Sequence, residues 1–222
     1  MKTIDRIVVI GAVGTALNIL YQIEDAILNH NYPAKLEGII IDDHETGSYV
    51  GDFLVIGSSK DIQQLIKDSD YKFIYCLYRM DKLEERFRLL ESYNIPQERF
   101  VNFVHPLSYV SSDIVSGKGN VIMSNTSIQS GVHLGNNNII NSNITVEHNC
   151  SIGNGNFLSA NSCIGSNVSI RNYCFIGLNS SVRENVILGD NAFIGMHSLV
   201  LKDFKEVTVA GVPAKITMRK PE

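Results

Sequence analysis

From Ile122 to Val200 an aliphatic residue falls at every sixth position, in an unbroken series that starts Ile122, Ile128, Leu134, Ile140 and ends Leu188, Ile194, Val200. The series has fourteen members in a chain that is 44% hydrophobic, so chance supplies it at about 0.44 to the fourteenth power, on the order of 10⁻⁵. Few folds use such a period. Three residues after each aliphatic, nine of thirteen positions are Asn and two are Gly (Gly131 and Gly155). Asn and Gly enter the left-handed backbone region at least cost, which makes this column a corner. The next column is mostly small, as in Thr126, Cys150, Ser162 and Ser198, and suits a second inward position beside a tight corner. Straight six-residue sides joined by recurring corners describe a parallel β-helix. A single coil cannot bury its own aliphatics, so coils must stack into a solenoid. At ~4.8 Å per stacked strand, the column makes a prism about 20 Å tall, roughly four coils.

The chain before Pro106 has a different grammar. "RIVVIG" (6–11) is a β-branched run ending in glycine, and Leu17, Leu20, Ile23 and Ile27 follow at helical spacing. "LEGIIIDD" (36–43), "KFIYCLY" (72–78) and "RFVNFVHP" (99–106) read as further strands. "DIQQLIKD" (61–68) and the Leu83–Phe87–Leu90 stripe read as helices. Alternating strands and helices imply a mostly parallel sheet covered on both faces. With 222 residues and a net charge of −4, the chain has room for two modest domains and no electrostatic footprint for nucleic acid. No run of 18 apolar residues is present, and the four cysteines form no CxxC or secreted framework. A cytoplasmic, reduced protein is the expectation.

Five stretches carry a family resemblance: "VVIGAVGTA" (8–16), "IIIDD" (39–43), "VHP" (104–106), "NSNITVEHNCSIG" (141–153) and "VAGVPAK" (209–215). With the hexapeptide ladder, they resemble the PglD-like and sialic acid O-acetyltransferase-like sugar acyltransferases. The resemblance covers nearly the whole chain. It implies an α/β Rossmann-like domain over residues 1–107 that binds a nucleotide sugar. A left-handed, triangular parallel β-helix with a C-terminal tail is implied over 108–222. It also implies acetyl-CoA as co-substrate, no metal, and a homotrimer with active sites between adjacent β-helices. His148 matches the family's general base and Asn141 an asparagine near the reacting centre. A histidine suits that task because a large share of imidazole is neutral at pH 7. The first turn (Gly11, Val13, Gly14, Thr15) would hold the nucleotide sugar, with Asp42 and Asp43 contacting uracil or ribose. Phe157, Ser166, Leu178 and Lys215 fall at acetyl-CoA-binding positions.

The turn itself has a physical rationale, since a strand that ends in G-x-x-G and opens a helix offers N–H groups to a diphosphate. The first glycine of a dinucleotide fingerprint is Val9 here, so dinucleotide binding is not supported. Three departures from the family pattern stand out. The acid that usually follows the base is Asn149, a histidine near the thioester is Phe157, and the first-turn histidine is Thr15, with a Gly-Asn pair lost around Tyr78 and Arg79.

Each marked residue also has a plainer reading. Asn149 falls in the corner column and would be favoured by backbone alone. Phe157, Phe175 and Phe193 are 18 apart, with Ile139 extending the series, and should stack as a ladder if a coil has three sides. Cys150 and Cys174 belong to the small inward column. Asp42 and Asp43 could be a solvated strand end, and the Gly11–Gly14 turn a tight connection. His133, His148 and His197 lack the spacing of a three-histidine zinc site. The leading expectation is acetyl-CoA-dependent N-acetylation of a nucleotide-linked amino sugar. O-acetylation of a free sugar such as sialic acid, and a catalytically inactive trimeric scaffold, stay open beside it.

Overall fold

The computed structural model describes residues 4–219. Its N-terminal part is a five-stranded sheet in the order β3-β4-β2-β1-β5, formed by β1 (Asp5–Ile10), β2 (Ala34–Ile40), β3 (Tyr49–Val50), β4 (Phe53–Gly57) and β5 (Lys72–Tyr75). All pairings are parallel except β3 with β4. Between β1 and β2 runs α1 (Thr15–His30), which buries Ala16, Ile19, Leu20, Ile23 and Ala26 along one face. Asn31, in the left-handed region, ends it and donates its N–H to the Ala26 carbonyl. The shorter helices are α2 (Ile62–Asp68) and α3 (Leu83–Ser92).

Two expectations about this part change. The β3–β4 hairpin carried no sequence signal. The stretch 99–106 adds no strand to this sheet beyond a single Phe73–Phe100 bridge. Phe103–Val104 instead pairs with Val121–Ile122 and opens the β-helix.

From Phe103 onward, two-residue strands stack in three parallel sheets. The first face starts at Phe103–Val104, the second at Tyr109–Val110 and the third at Val115–Ser116. Strands on one face pair with partners 18 residues on, so each coil has three six-residue sides. These stacked sheets fit a left-handed β-helix. All thirteen residues of the inferred corner column have positive φ, including His197 (52°) and Tyr173 (59°), of which Tyr173 lacks the usual tolerance. The aliphatic column is buried throughout, from Ile122 to Val200. The helix begins one coil earlier than that column, because the inward position at the third face is Ser116 rather than an aliphatic.

Three polar inward residues, Asn120, Asn138 and Asn156, form a ladder. Asn138 bonds Asn120 Oδ1 above, accepts the N–H and side-chain amide of Asn156 below, and donates to the Gly153 carbonyl at 2.8 Å. The ladder satisfies groups whose burial would otherwise cost about 1–3 kcal/mol each.

The α/β part packs on the first face, whose outward residues are apolar. Val121, Ile139 and Phe157 share one core with Ile19, Ile23, Ile74 and Phe103. Phe157, Phe175 and Phe193 stack down this face at 5.9 and 4.6 Å between ring centroids, as the 18-residue spacing predicts. A polar seam along α1 closes the edge. Gln22 donates to Ser142 Oγ (3.2 Å) and accepts the Ser124 N–H (2.9 Å). The buried His105, from "VHP", donates to Asp25 at 3.0 Å while its other ring nitrogen accepts the Leu107 N–H. Among the described residues, no helix is long and apolar enough to cross a membrane.

Candidate functional site

β1 enters its turn at Gly11, which is buried, and a Cβ there would lie 2.4 Å from that of Ala16. Only a residue without Cβ lets α1 begin this close to the strand. Gly14, the helix N-cap, has φ 106°, which again calls for glycine. Val13 and Gly14 are exposed and Thr15 half-buried, so the turn presents its backbone to solvent.

Beside the turn lies a cavity of about 140 Å³ at the C-terminal ends of β1, β2 and β5. In parallel sheets ligands bind at such ends, where neighbouring connections leave in opposite directions. Gly11, Asp42 and Asp43 line it, and so do Ser59, Leu77 and Tyr93. The last three had no motif, and only the tertiary fold brings Tyr93, at the end of α3, beside Asp42. Asp42 is not simply solvated, since its Oδ1 accepts the Ser59 N–H at 2.6 Å. Burial, then the Asp42 carboxylate, raises the Tyr93 phenol above its ordinary value.

His148 lies elsewhere. It is exposed at the corner between the second and third faces, the corner opposite the face that carries the α/β part. Its Nδ1 is 3.1 Å from the Asn149 side-chain amide, and Asn149 has φ 59°. Asn149 is thus both a corner residue and the group in contact with the imidazole. Ser166 sits one coil below, on the same corner. One coil above is Ser130, whose hydroxyl donates to Asp113 at 2.6 Å.

Asn141 and Leu178 lie on a different corner, between the first and second faces. Asn141 donates its amide to the Leu158 carbonyl at 2.9 Å. Its neighbour Ser142 is the group that Gln22 of α1 grips, so Asn141 is on the same side as the Gly turn. Lys215 is exposed at the start of the last strand, Lys215–Arg219.

Phe157 does not suit the acetyl-CoA role expected of it. Only 7% exposed, it is held between Tyr78, at 6.0 Å, and Phe175. Tyr78, at the position where the family pattern is lost, donates its hydroxyl to the Asn137 carbonyl. Phe157 and Tyr78 thus pack together between the two parts of the chain. Cys150 and Cys174 are buried in the core, Cys150 with its thiol raised by burial, and neither resembles an activated nucleophile. His133, His148 and His197 occupy the third face and two different corners, and do not converge. Among the described residues, Asp25, His30 and His105 are close enough to share an ion, but these atoms are engaged in the α1 seam.

No family model matches the sequence, and no curated protein matches it. Solved structures do. A mutant of perosamine N-acetyltransferase from Caulobacter crescentus, in complex with CoA and GDP-perosamine, is 24% identical with a TM-score of 0.83, over 97% of this chain and 98% of that one. The acetyltransferase domain of PglB from Neisseria gonorrhoeae, in complex with acetyl coenzyme A, is 25% identical with a TM-score of 0.69, over 96% and 100%. WeeI from Acinetobacter baumannii is 20% identical with a TM-score of 0.75, over 95% and 99%. The chain has the fold of these proteins. Since the likeness spans at least 95% of the chain, it takes in the α/β part as well as the β-helix.

Proposed function

We propose that the protein is an acetyl-CoA-dependent N-acetyltransferase of a nucleotide-linked amino sugar. A Rossmann-like part before Phe103 would hold the nucleotide sugar, and a left-handed β-helix from Phe103 onward would carry the transfer chemistry. The observation that carries the reading is the pairing of a glycine turn and a carboxylate-lined cavity beside it with an exposed histidine that the repeat does not require. CoA and GDP-perosamine in the perosamine N-acetyltransferase structure, and acetyl coenzyme A in that of the PglB domain, support it.

In this mechanism the sugar amine attacks the thioester carbonyl. His148 Nε2 takes the amine proton as the C–N bond forms, and the C–S bond breaks to release CoA, which collects the proton as a thiol. Asn149 decides whether Nε2 is free to act. With its nitrogen toward the ring, as placed, Nδ1 is the acceptor and Nε2 carries the proton. With the amide turned over, its oxygen accepts the Nδ1 proton and leaves the Nε2 lone pair as the base. A carboxylate, the family's choice, permits only the productive arrangement. Asn141 would position the acceptor or the thioester, with Ser166, Leu178 and Lys215 along the acetyl-CoA path.

One chain cannot assemble this site, because His148 lies on the corner opposite the Gly turn and Asn141. We therefore infer a homotrimer in which a second face packs beside each neighbour. A threefold ring brings the His148 corner of one copy to the Asn141 corner of the next and closes. The small outward residues of that face (Ser127, Thr145, Cys163, Ser181) allow close approach. A cytoplasmic location fits substrates of this kind.

The test is a free-thiol assay with acetyl-CoA against GDP-, UDP- and dTDP-linked amino sugars. Thiol release is expected with at least one, and His148→Ala should lower it by about 10²–10⁴-fold. No release with any of them sinks the reading; release that survives in the variant removes His148 from the chemistry. A monomer in sedimentation contradicts the trimer.

A further inference from the structure

We infer that Tyr93 is the nucleobase platform of the site, with the nucleoside in the Asp42–Tyr93 cavity and the diphosphate over the Gly11–Gly14 turn. The subsite belongs to the nucleotide-sugar reading, on which this inference rests; what is added is Tyr93 as its recognition residue. The two ends of the cavity differ chemically. At one end α1, 16 residues long with no acid in its first turn, offers free N–H groups and the positive end of its dipole. Phosphate belongs there. The other end carries the exposed carboxylates of Asp42 and Asp43. They repel a diphosphate but accept O–H and N–H groups from ribose or base. A ligand bearing both chemistries can lie only one way round.

A nucleobase also needs a flat apolar wall, and Tyr93 with Leu77 supplies it. The Tyr93 ring is braced rather than loose. It meets Tyr75 edge-on at 6.5 Å between centroids, and its backbone carbonyl accepts from Gln63 at 2.5 Å. Its hydroxyl faces Ser59 and Asp42. The phenol remains a neutral donor at pH 7, able to bond a base carbonyl. Stacking serves any base, because every base has a π-face, so Tyr93 contributes affinity and the two carboxylates discrimination. The same direction sends the sugar past the start of α1. There Asn18 and Gln22 meet Met123, Ser124 and Ser142, beside Asn141.

Calorimetry with GDP, UDP and dTDP on the full chain tests this. Tyr93→Ala should weaken the nucleotide that binds wild type by about tenfold or more, with Tyr93→Trp restoring most of the affinity. In turnover, Tyr93→Ala should raise KM for the nucleotide sugar and leave kcat and the KM for acetyl-CoA nearly unchanged. A merely structural role would lower Tm and kcat together without that split. Should Tyr93→Ala fail to fold, Tyr93→Leu keeps the apolar bulk and reads the same loss of stacking. If wild type binds a nucleotide and the variants bind it equally well, the Tyr93 inference is overturned while the nucleotide-sugar reading stands. If wild type binds none of GDP, UDP and dTDP, the nucleotide-sugar reading falls, and this inference with it.

Discussion

The β-helix and the α/β part solve the same problem, burying aliphatic side chains, by opposite means. In the β-helix one rule repeats: an inward aliphatic, a left-handed corner and a small inward residue, every six residues. Its contacts are to the coils above and below. In the α/β part each element has its own pattern, and Ile74 meets Val9 only because α1 and β2 have folded between them in sequence. The difference bears on how the residues of the proposed site stand out. A repeating scaffold constrains nearly every position, so an exposed His148 that the repeat does not need is conspicuous. An irregular scaffold hides its site residues among one-off packing choices, as it does Tyr93 and Ser59.

The largest expected effect breaks the comparison at the place where the two parts meet. Phe157 lies in the apolar cluster that joins the two parts, so Phe157→Ala should cost about 3–5 kcal/mol. Because one apolar cluster spans both parts, thermal unfolding should remain a single transition at lower Tm. A raised KM for acetyl-CoA at unchanged Tm would restore Phe157 to the acetyl-CoA site and undo the packing account. Next in size is a test of the repeat rule. Asn161 holds φ 61° at a corner, so Asn161→Ala should cost about 1–2 kcal/mol while Asn161→Gly stays close to neutral. Equal losses in denaturant titration would mean that a side-chain bond, not backbone conformation, selects asparagine here.

Asn149 answers to the repeat and to chemistry at once. Asn149→Asp keeps a residue that tolerates the left-handed region, so stability should change little. Activity should change. A carboxylate beside Nδ1 fixes the productive tautomer and favours the imidazolium, so the plateau of kcat/KM should rise and its acid limb move to higher pH. An unaltered pH profile would show that the amide does not orient the base.

How far the sequence reveals the molecule follows the same division. The six-residue column exposes the solenoid, the corner asparagines its backbone, and the phenylalanine spacing its covered face. The helix start was misplaced because Ser116 interrupts the aliphatic column, and this left "RFVNFVHP" looking like a strand of the sheet before it. The β3–β4 hairpin escaped because "GSYVGDFLVIG" lacks a clean alternation. At the proposed site, Gly11 and Gly14 could be marked by residue type and spacing, and Asp42 and His148 through the family resemblance. The cavity they serve could not, since Asp42, Ser59 and Tyr93 meet through sheet topology alone. Nor does spacing reveal that His148 and the Gly turn occupy opposite sides of one chain.

The smallest effect compares two exposed carboxylates, one pinning each part. Asp113 caps the first His148-side corner, accepting from Ser111 Oγ, from Ser130 Oγ (both 2.6 Å) and from the Gly131 N–H (3.1 Å). These bonds, with Ser111 the largest cause, hold its carboxyl at about 2, below the ordinary 3.8. A depressed folded pKa means that the ionised form stabilises the fold above the unfolded value and that this contribution is lost as pH falls through the folded one. Asp113→Asn should therefore lower Tm slightly at pH 6, and the deficit should shrink below about pH 4 and vanish near pH 2. Asp25 is lowered in the same sense by Asn29 first and then by His105 and His30. Asp25→Asn should lower Tm at pH 6 by the same logic, and its deficit should fade as pH drops through the carboxylate range. A deficit that persists undiminished at pH 2 in either variant would mean that bonds to the ionised carboxylate are not what that side chain contributes.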